Sequence, residues 1–96
     1  MDGVELKLND KGHGAFVFSD NGKQIGEMEV EVSQTHLTVF HTEVIPEAEG
    51  KGVAKKLLSE MVNYSRSHKL KVIPLCPYVH AQFKRHPDEY ADLWNE

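Results

Sequence analysis

The chain has 96 residues, a net charge of −4 and 27% charged side chains. That length suits one small domain with a thin stability margin, and no stretch reads as a linker, so a single domain over residues 1–96 is expected. The acidic balance argues against a general nucleic-acid binder, which carries a basic face. The lone cysteine, Cys76, excludes an internal disulfide and fits a reducing compartment. No apolar run approaches the ~20 residues that cross a bilayer. Met1-Asp2-Gly3-Val4 lacks a basic-then-apolar leader pattern. A cytoplasmic protein without membrane or nucleic-acid partners, monomeric or weakly dimeric, is expected.

Val4-Glu5-Leu6-Lys7-Leu8 alternates apolar and polar, as a half-buried strand does. Asn9 to Gly14 is a turn by composition, and Ala15 to Phe18 a second short strand. Asn21-Gly22 readily takes the positive φ angles of a tight hairpin. The following run, Gln24 to Ser33, alternates regularly from Met28 onward, and Gly26 marks a candidate bulge where the phase shifts. His36 to Ile45 is rich in β-branched and aromatic residues and predicts a fourth strand, stopped by Pro46. Short links between four successive strands predict an antiparallel meander.

The period then changes. Val53, Leu57, Leu58, Met61, Val62 and Ser65 form one helical stripe, predicting a long helix from about Gly52 to Ser67. Leu70 to Pro77 reads as a fifth strand, parallel to the fourth because a helix connects them. Pro74 and Pro77 lack donors, so the pairing is expected to stop early and leave a crevice where the two strands splay. Pro77 suits the first turn of a short helix running to about His86, where Pro87 ends it. The tail carries apolar Tyr90, Leu93 and Trp94, and either docks back as a last turn or covers a partner. The fold class expected is α+β: four antiparallel strands, a long helix, a parallel fifth strand and a short C-terminal helix.

Between the fourth strand and the long helix lies Glu49-Gly50-Lys51-Gly52-Val53-Ala54-Lys55-Lys56. Lysines near a helix N-terminus oppose the partial positive charge there. They make sense if an anion docks at the same place, since glycines admit close approach and the first-turn N–H groups point outward. One reading is a phosphate-binding turn. The other is a glycine loop entering an ordinary helix with solvated lysines. Glycine loops this short are a weak signal.

Taken together, a strand, a glycine turn with basic residues, a long helix, a strand and a short helix resemble the GNAT superfamily of N-acetyltransferases. The superfamily's pattern is Gln or Arg, two residues, Gly, one residue, then Gly or Ala. Gly52-Val53-Ala54 matches its second half, whereas Glu49 stands where Gln or Arg is expected. His41-Thr42-Glu43-Val44 and Pro74-Leu75-Cys76-Pro77-Tyr78-Val79 are similar to runs of the small, single-domain, Gcn-type acetyltransferase-like subgroup. The resemblance implies a minimal GNAT-like fold and acetyl-coenzyme A as cosubstrate. It implies that Gly50, Lys51, Gly52, Val53, Ala54 and Lys55 hold the pyrophosphate, with the backbone of Val44 and Ile45 pairing with the pantetheine arm. The implied reaction moves an acetyl group to an amine of a small molecule or protein. The alternative is an acyl-coenzyme-A-binding module or sensor without efficient catalysis.

Acetyl transfer to an amine needs a deprotonated nucleophile, a donor for the developing oxyanion and an acid for the leaving thiolate. Cys76, just before a helix start that favours a thiolate, is a candidate nucleophile or acid–base; it reads equally as a small buried hydrophobe. His41 is a candidate base or a structural histidine, since imidazole titrates near neutrality. Glu43, two residues on, shares its strand face and is either an orienting partner or a solvated charge. Tyr78 is a candidate acid for the thiolate or a packed aromatic. His80 and Lys84 share a helix face that reads as solvated. The six histidines show no tight ligand spacing and one cysteine is too few for a structural zinc, so no metal is expected.

Overall fold

The computed structural model describes residues 3–95. Strands β1 (Val4–Leu8), β2 (His13–Asp20), β3 (Lys23–Val32) and β4 (His36–Val44) precede a short 3-10 turn (Pro46–Ala48). Helix α1 (Val53–Ser67), strand β5 (Lys71–Pro74) and helix α2 (Pro77–Arg85) follow. The sheet order is β1-β2-β3-β4-β5. The first four strands are antiparallel and β5 is parallel to β4, as the strand–helix–strand order predicts.

Local chemistry sets the boundaries. Asn21 and Gly22 both take positive φ, 52° and 79°, and close the β2–β3 hairpin as an Asn-Gly turn should. Gly52 is the N-cap of α1 rather than its first helical residue. β5 is shorter than the Leu70–Pro77 run, because Pro74 has no N–H to continue the ladder and the chain turns into α2 three residues later.

Two bulges fix which side chains face the core. Phe18 pairs with Gly26 and Ser19 with Gln24, leaving Ile25 as the extra residue beside the expected phase shift at Gly26. In the next ladder Glu29 pairs with His41 but Val30 with Val39, leaving Phe40 unpaired. This second bulge turns Thr42 and Val44 to the same side as Val39.

Both helices lie on one face of the sheet. Val53, Leu57, Leu58, Met61 and Val62 of α1 and Val79 and Phe83 of α2 share a single core cluster with Phe16, Met28, Val30, Leu37, Val39 and Val72. Burying each such side chain contributes roughly 1.5–3 kcal/mol. Gly26 lets α1 settle onto β3, since a Cβ there would lie 2.6 Å from Val53 Cγ1. Among the described residues the opposite face carries no helix: Glu27, Glu29, His41, Glu43 and Ile73 alternate with the core residues and lie outside the cluster.

The tail docks back on the sheet. Val72 N–H donates to the Leu93 carbonyl at 2.8 Å, and Asn95 N–H to the Val72 carbonyl at 3.0 Å. Arg66 of α1 pins the same segment, donating to Asp92 Oδ2 at 3.0 Å, Asp92 Oδ1 at 3.2 Å and the Glu89 carbonyl at 2.7 Å. No helix among the described residues is long and apolar enough to cross a membrane.

Candidate functional site

β4 and β5 stay paired only as far as Val39 and Pro74. One further bond, from Cys76 N–H to the Val39 carbonyl at 2.9 Å, marks the vertex. Beyond it, residues 40–44 of β4 have no strand on that side among the described residues, which is the splay the prolines predict.

A cavity of about 440 Å3 opens there. Thr42 and Val44 of β4 form one wall, Tyr78 of α2 another, and the turn and first residues of α1 the rest. The turn owes its shape to Gly50 and Gly52, with φ of 83° and 79°. A Cβ at either would meet no heavy atom within 4 Å, so glycine is required by backbone conformation and not by crowding. Among the described residues, the N–H groups of Gly50, Gly52, Val53, Ala54 and Lys55 have no main-chain acceptor. Lys56 N–H is the first to close the helix, onto the Gly52 carbonyl at 3.0 Å. The first turn of α1 contains no acidic residue. Lys51, Lys55 and Lys56 are exposed and in no ion pair among the described residues. Five open donors line one mouth together with Lys55, and Lys51 and Lys56 neighbour them in the chain, an arrangement suited to an anion. Glu49 stands in the same wall as the single opposing charge.

The sequence-derived residues divide over this geometry. Val44, Gly50, Gly52, Val53, Ala54, Lys55 and Tyr78 line the cavity, and Lys51 flanks it on the turn. Ile45 is not part of this lining. Its N–H donates to the Ile25 carbonyl at 3.0 Å and its carbonyl accepts from Ala48 at 3.0 Å. Its N–H is thus taken by the sheet, and its carbonyl, where the 3-10 turn begins, keeps a second lone pair.

Tyr78 is half-buried, and burial pushes its phenol up from the ordinary range, with the nearby Cys76 adding to the shift. Like any phenol it is protonated at neutral pH and has a proton to donate. Cys76 caps α2 as expected but is only 2% exposed and lies behind the wall. Its Sγ is 3.2 Å from Thr42 Oγ1. His41 and Glu43 share a face, Nε2 to Oε1 3.4 Å, as their spacing implies. Their side chains are 55% and 68% exposed on the helix-free face, pointing away from the cavity that Thr42 and Val44 line.

Thr42 is the residue that sequence reasoning missed. A threonine amid β-branched neighbours reads as ordinary strand. The available signal was arithmetic: Val39 and Val44 are five apart, so both can face the core only across a bulge.

A model of the GCN5-related N-acetyltransferase family matches residues 15–93. Among curated proteins, none matches the chain by sequence. Among solved structures, the solution structure of a GCN5-like protein from Staphylococcus aureus is similar, with a TM-score of 0.69 and 28% identity over 99% of this chain and 91% of that one. The crystal structure of a ribosomal-protein-alanine N-acetyltransferase from Brucella melitensis biovar Abortus 2308 shares the fold, with a TM-score of 0.63 at 19% identity. It covers 91% of this chain and 64% of its own.

Proposed function

The chain belongs to the GCN5-related N-acetyltransferase family, and from that premise we propose that it moves the acetyl group of acetyl-coenzyme A to an amine. The observation that carries this reading is the set of N–H groups without main-chain acceptors at Gly50, Gly52, Val53, Ala54 and Lys55, at the mouth of the β4–β5 crevice. The pyrophosphate docks on these donors, with Lys51 and Lys55 as counter-charges. The pantetheine arm runs inward along β4 beside Val44, where strand edges offer open backbone groups. The thioester reaches the vertex between Thr42 and Tyr78.

The chemistry follows from what stands there. The amine nitrogen attacks the thioester carbonyl, forming a C–N bond. The C–S bond then breaks, and the leaving thiolate takes the phenolic proton of Tyr78, which stands in the cavity wall. The amine's own proton passes to His41, oriented by Glu43 on the helix-free face. The acceptor therefore enters from that face, through the gap where β5 no longer pairs with β4. Acidic side chains there, with the net charge of −4, favour a cationic acceptor.

A second reading is an acyl-coenzyme-A-binding module without efficient turnover. It is favoured by one observation, the direction of His41 and Glu43 away from the cavity. Two measurements separate these readings. Acetyl-coenzyme A at millimolar concentration should raise the melting temperature, because a ligand of the native state must stabilise it; an unmoved melting temperature sinks both. Labelled acetyl-coenzyme A offered with a panel of amines then decides between them. Acid-stable label on an amine supports transfer, and stabilisation with no label on any amine favours the binding module.

A further inference from the structure

The transfer reading leaves one requirement unassigned: a donor for the oxygen of the thioester carbonyl, on which charge develops as the amine attacks. We propose that the Thr42 hydroxyl is that donor, with the buried Cys76 thiol fixing its direction. This rests on the transfer reading and adds a named group to it.

Thr42 Oγ1 and Cys76 Sγ are 3.2 Å apart, and either atom has one hydrogen to give. Cys76 is 2% exposed, and no second polar partner of its thiol exists among the described residues. If Thr42 donated, the S–H hydrogen would be stranded in an apolar interior. If Cys76 donates, the S–H is satisfied and the threonine hydrogen is released toward the cavity that Thr42 lines. The second arrangement leaves no buried donor unmade and is the favoured one.

Position supports the same assignment. The Phe40 bulge turns Thr42, and not His41, toward the helices. Thr42 thus stands at the vertex of the crevice, with Tyr78 in the facing wall. Thr42–Cys76 is the one side-chain hydrogen bond across the splay among the described residues. An acetyl group arriving between Thr42 and Tyr78 would have a hydroxyl for its carbonyl oxygen and a phenol for its sulfur. Cys76 then acts through Thr42 as a positioning residue and takes no acetyl group itself.

The test reads the bound thioester directly. Acetyl-coenzyme A labelled with 13C at the carbonyl carbon is bound to the wild-type protein, Thr42→Val and Thr42→Ser, and its infrared carbonyl band is compared with that of free ligand. The wild type and Thr42→Ser should move the band to lower wavenumber. Thr42→Val, which keeps the shape and loses the hydroxyl, should leave it near the free position while still being stabilised by the ligand. With an amine acceptor in hand, Thr42→Val should lose about 10²-fold in kcat, with KM for acetyl-coenzyme A changed less than about threefold. A band displaced equally in Thr42→Val and the wild type overturns the assignment, as does recovery of an acetyl group on Cys76. If the ligand stabilises none of the three proteins, the cofactor reading itself has failed and this assignment falls with it. Stabilisation of the wild type with an unmoved carbonyl band overturns the Thr42 assignment alone.

Discussion

Replacing Gly52 with alanine isolates the anion site from the stability of the fold. Gly52 holds φ at 79°, a left-handed conformation that costs an L-residue roughly 1–2 kcal/mol. The added methyl itself meets nothing within 4 Å. Alanine also narrows the unfolded ensemble, which returns part of that cost. A net loss near 1 kcal/mol lowers the melting temperature of a domain this size by about 4–8 °C. Gly22→Ala is the matched control. Gly22 has the same φ of 79° and equally open surroundings but lies outside the cavity wall. The two variants should melt alike without ligand. They should differ with it. At a concentration about 100 times Kd, acetyl-coenzyme A stabilises the wild type by roughly 2.7 kcal/mol. A methyl projecting from the turn into the pyrophosphate position should weaken binding at least tenfold, removing about 1.4 kcal/mol of that gain. Differential scanning fluorimetry across a ligand titration reads both quantities. Equal ligand-induced shifts in Gly52→Ala and Gly22→Ala would refute the phosphate-turn assignment.

Three further outcomes are expected. Glu49→Gln removes the one opposing charge from the cavity wall; calorimetry should register tighter coenzyme A binding, by up to about fivefold given solvent screening, and an unchanged or weaker Kd would put Glu49 outside the anion's reach. Tyr78→Phe should retain ligand-induced stabilisation yet lose about 10²-fold or more in kcat; undiminished turnover would remove Tyr78 as the acid. Asp92 is held below its ordinary carboxyl range by hydrogen bonding to Arg66. The stability from that pair is therefore present above the ordinary pKa of about 3.9 and lost as pH falls through the lower folded value. Both side chains are more than a third exposed, so the effect is under about 1 kcal/mol. Arg66→Ala should flatten this part of an acid-unfolding curve, and a curve superimposable on the wild type would mean the pair contributes nothing.

Much of the fold is legible because its signals are local. Asn21-Gly22 encodes a turn, alternation from Met28 encodes a half-buried strand, and the stripe from Val53 to Ser65 encodes the α1 face. The splay is legible from Pro74 and Pro77, which remove the donors that would continue the β4–β5 ladder. What stays hidden is phase. In His36 to Val44 every residue type suits a strand, so nothing in propensity marks Phe40 as the extra residue. That one insertion decides that Thr42 faces the cavity while His41 and Glu43 face away. Nor does the sequence disclose that Ile25 and Ala48 bond the main-chain groups of Ile45. Burial is one of the two readings open for Cys76, and pattern alone does not decide between them, because the outcome depends on how α2 folds down over the vertex.

The central claim is that the Gly50–Lys55 turn holds the pyrophosphate of coenzyme A at the open end of the β4–β5 crevice. A nitrogen–proton correlation spectrum recorded through a coenzyme A titration tests it most directly. The account predicts the largest shifts at the amides of Gly50, Gly52, Val53, Ala54 and Lys55, with smaller ones at Thr42 and Val44. Saturable binding that leaves those five amides in place while other parts of the sheet move would contradict it.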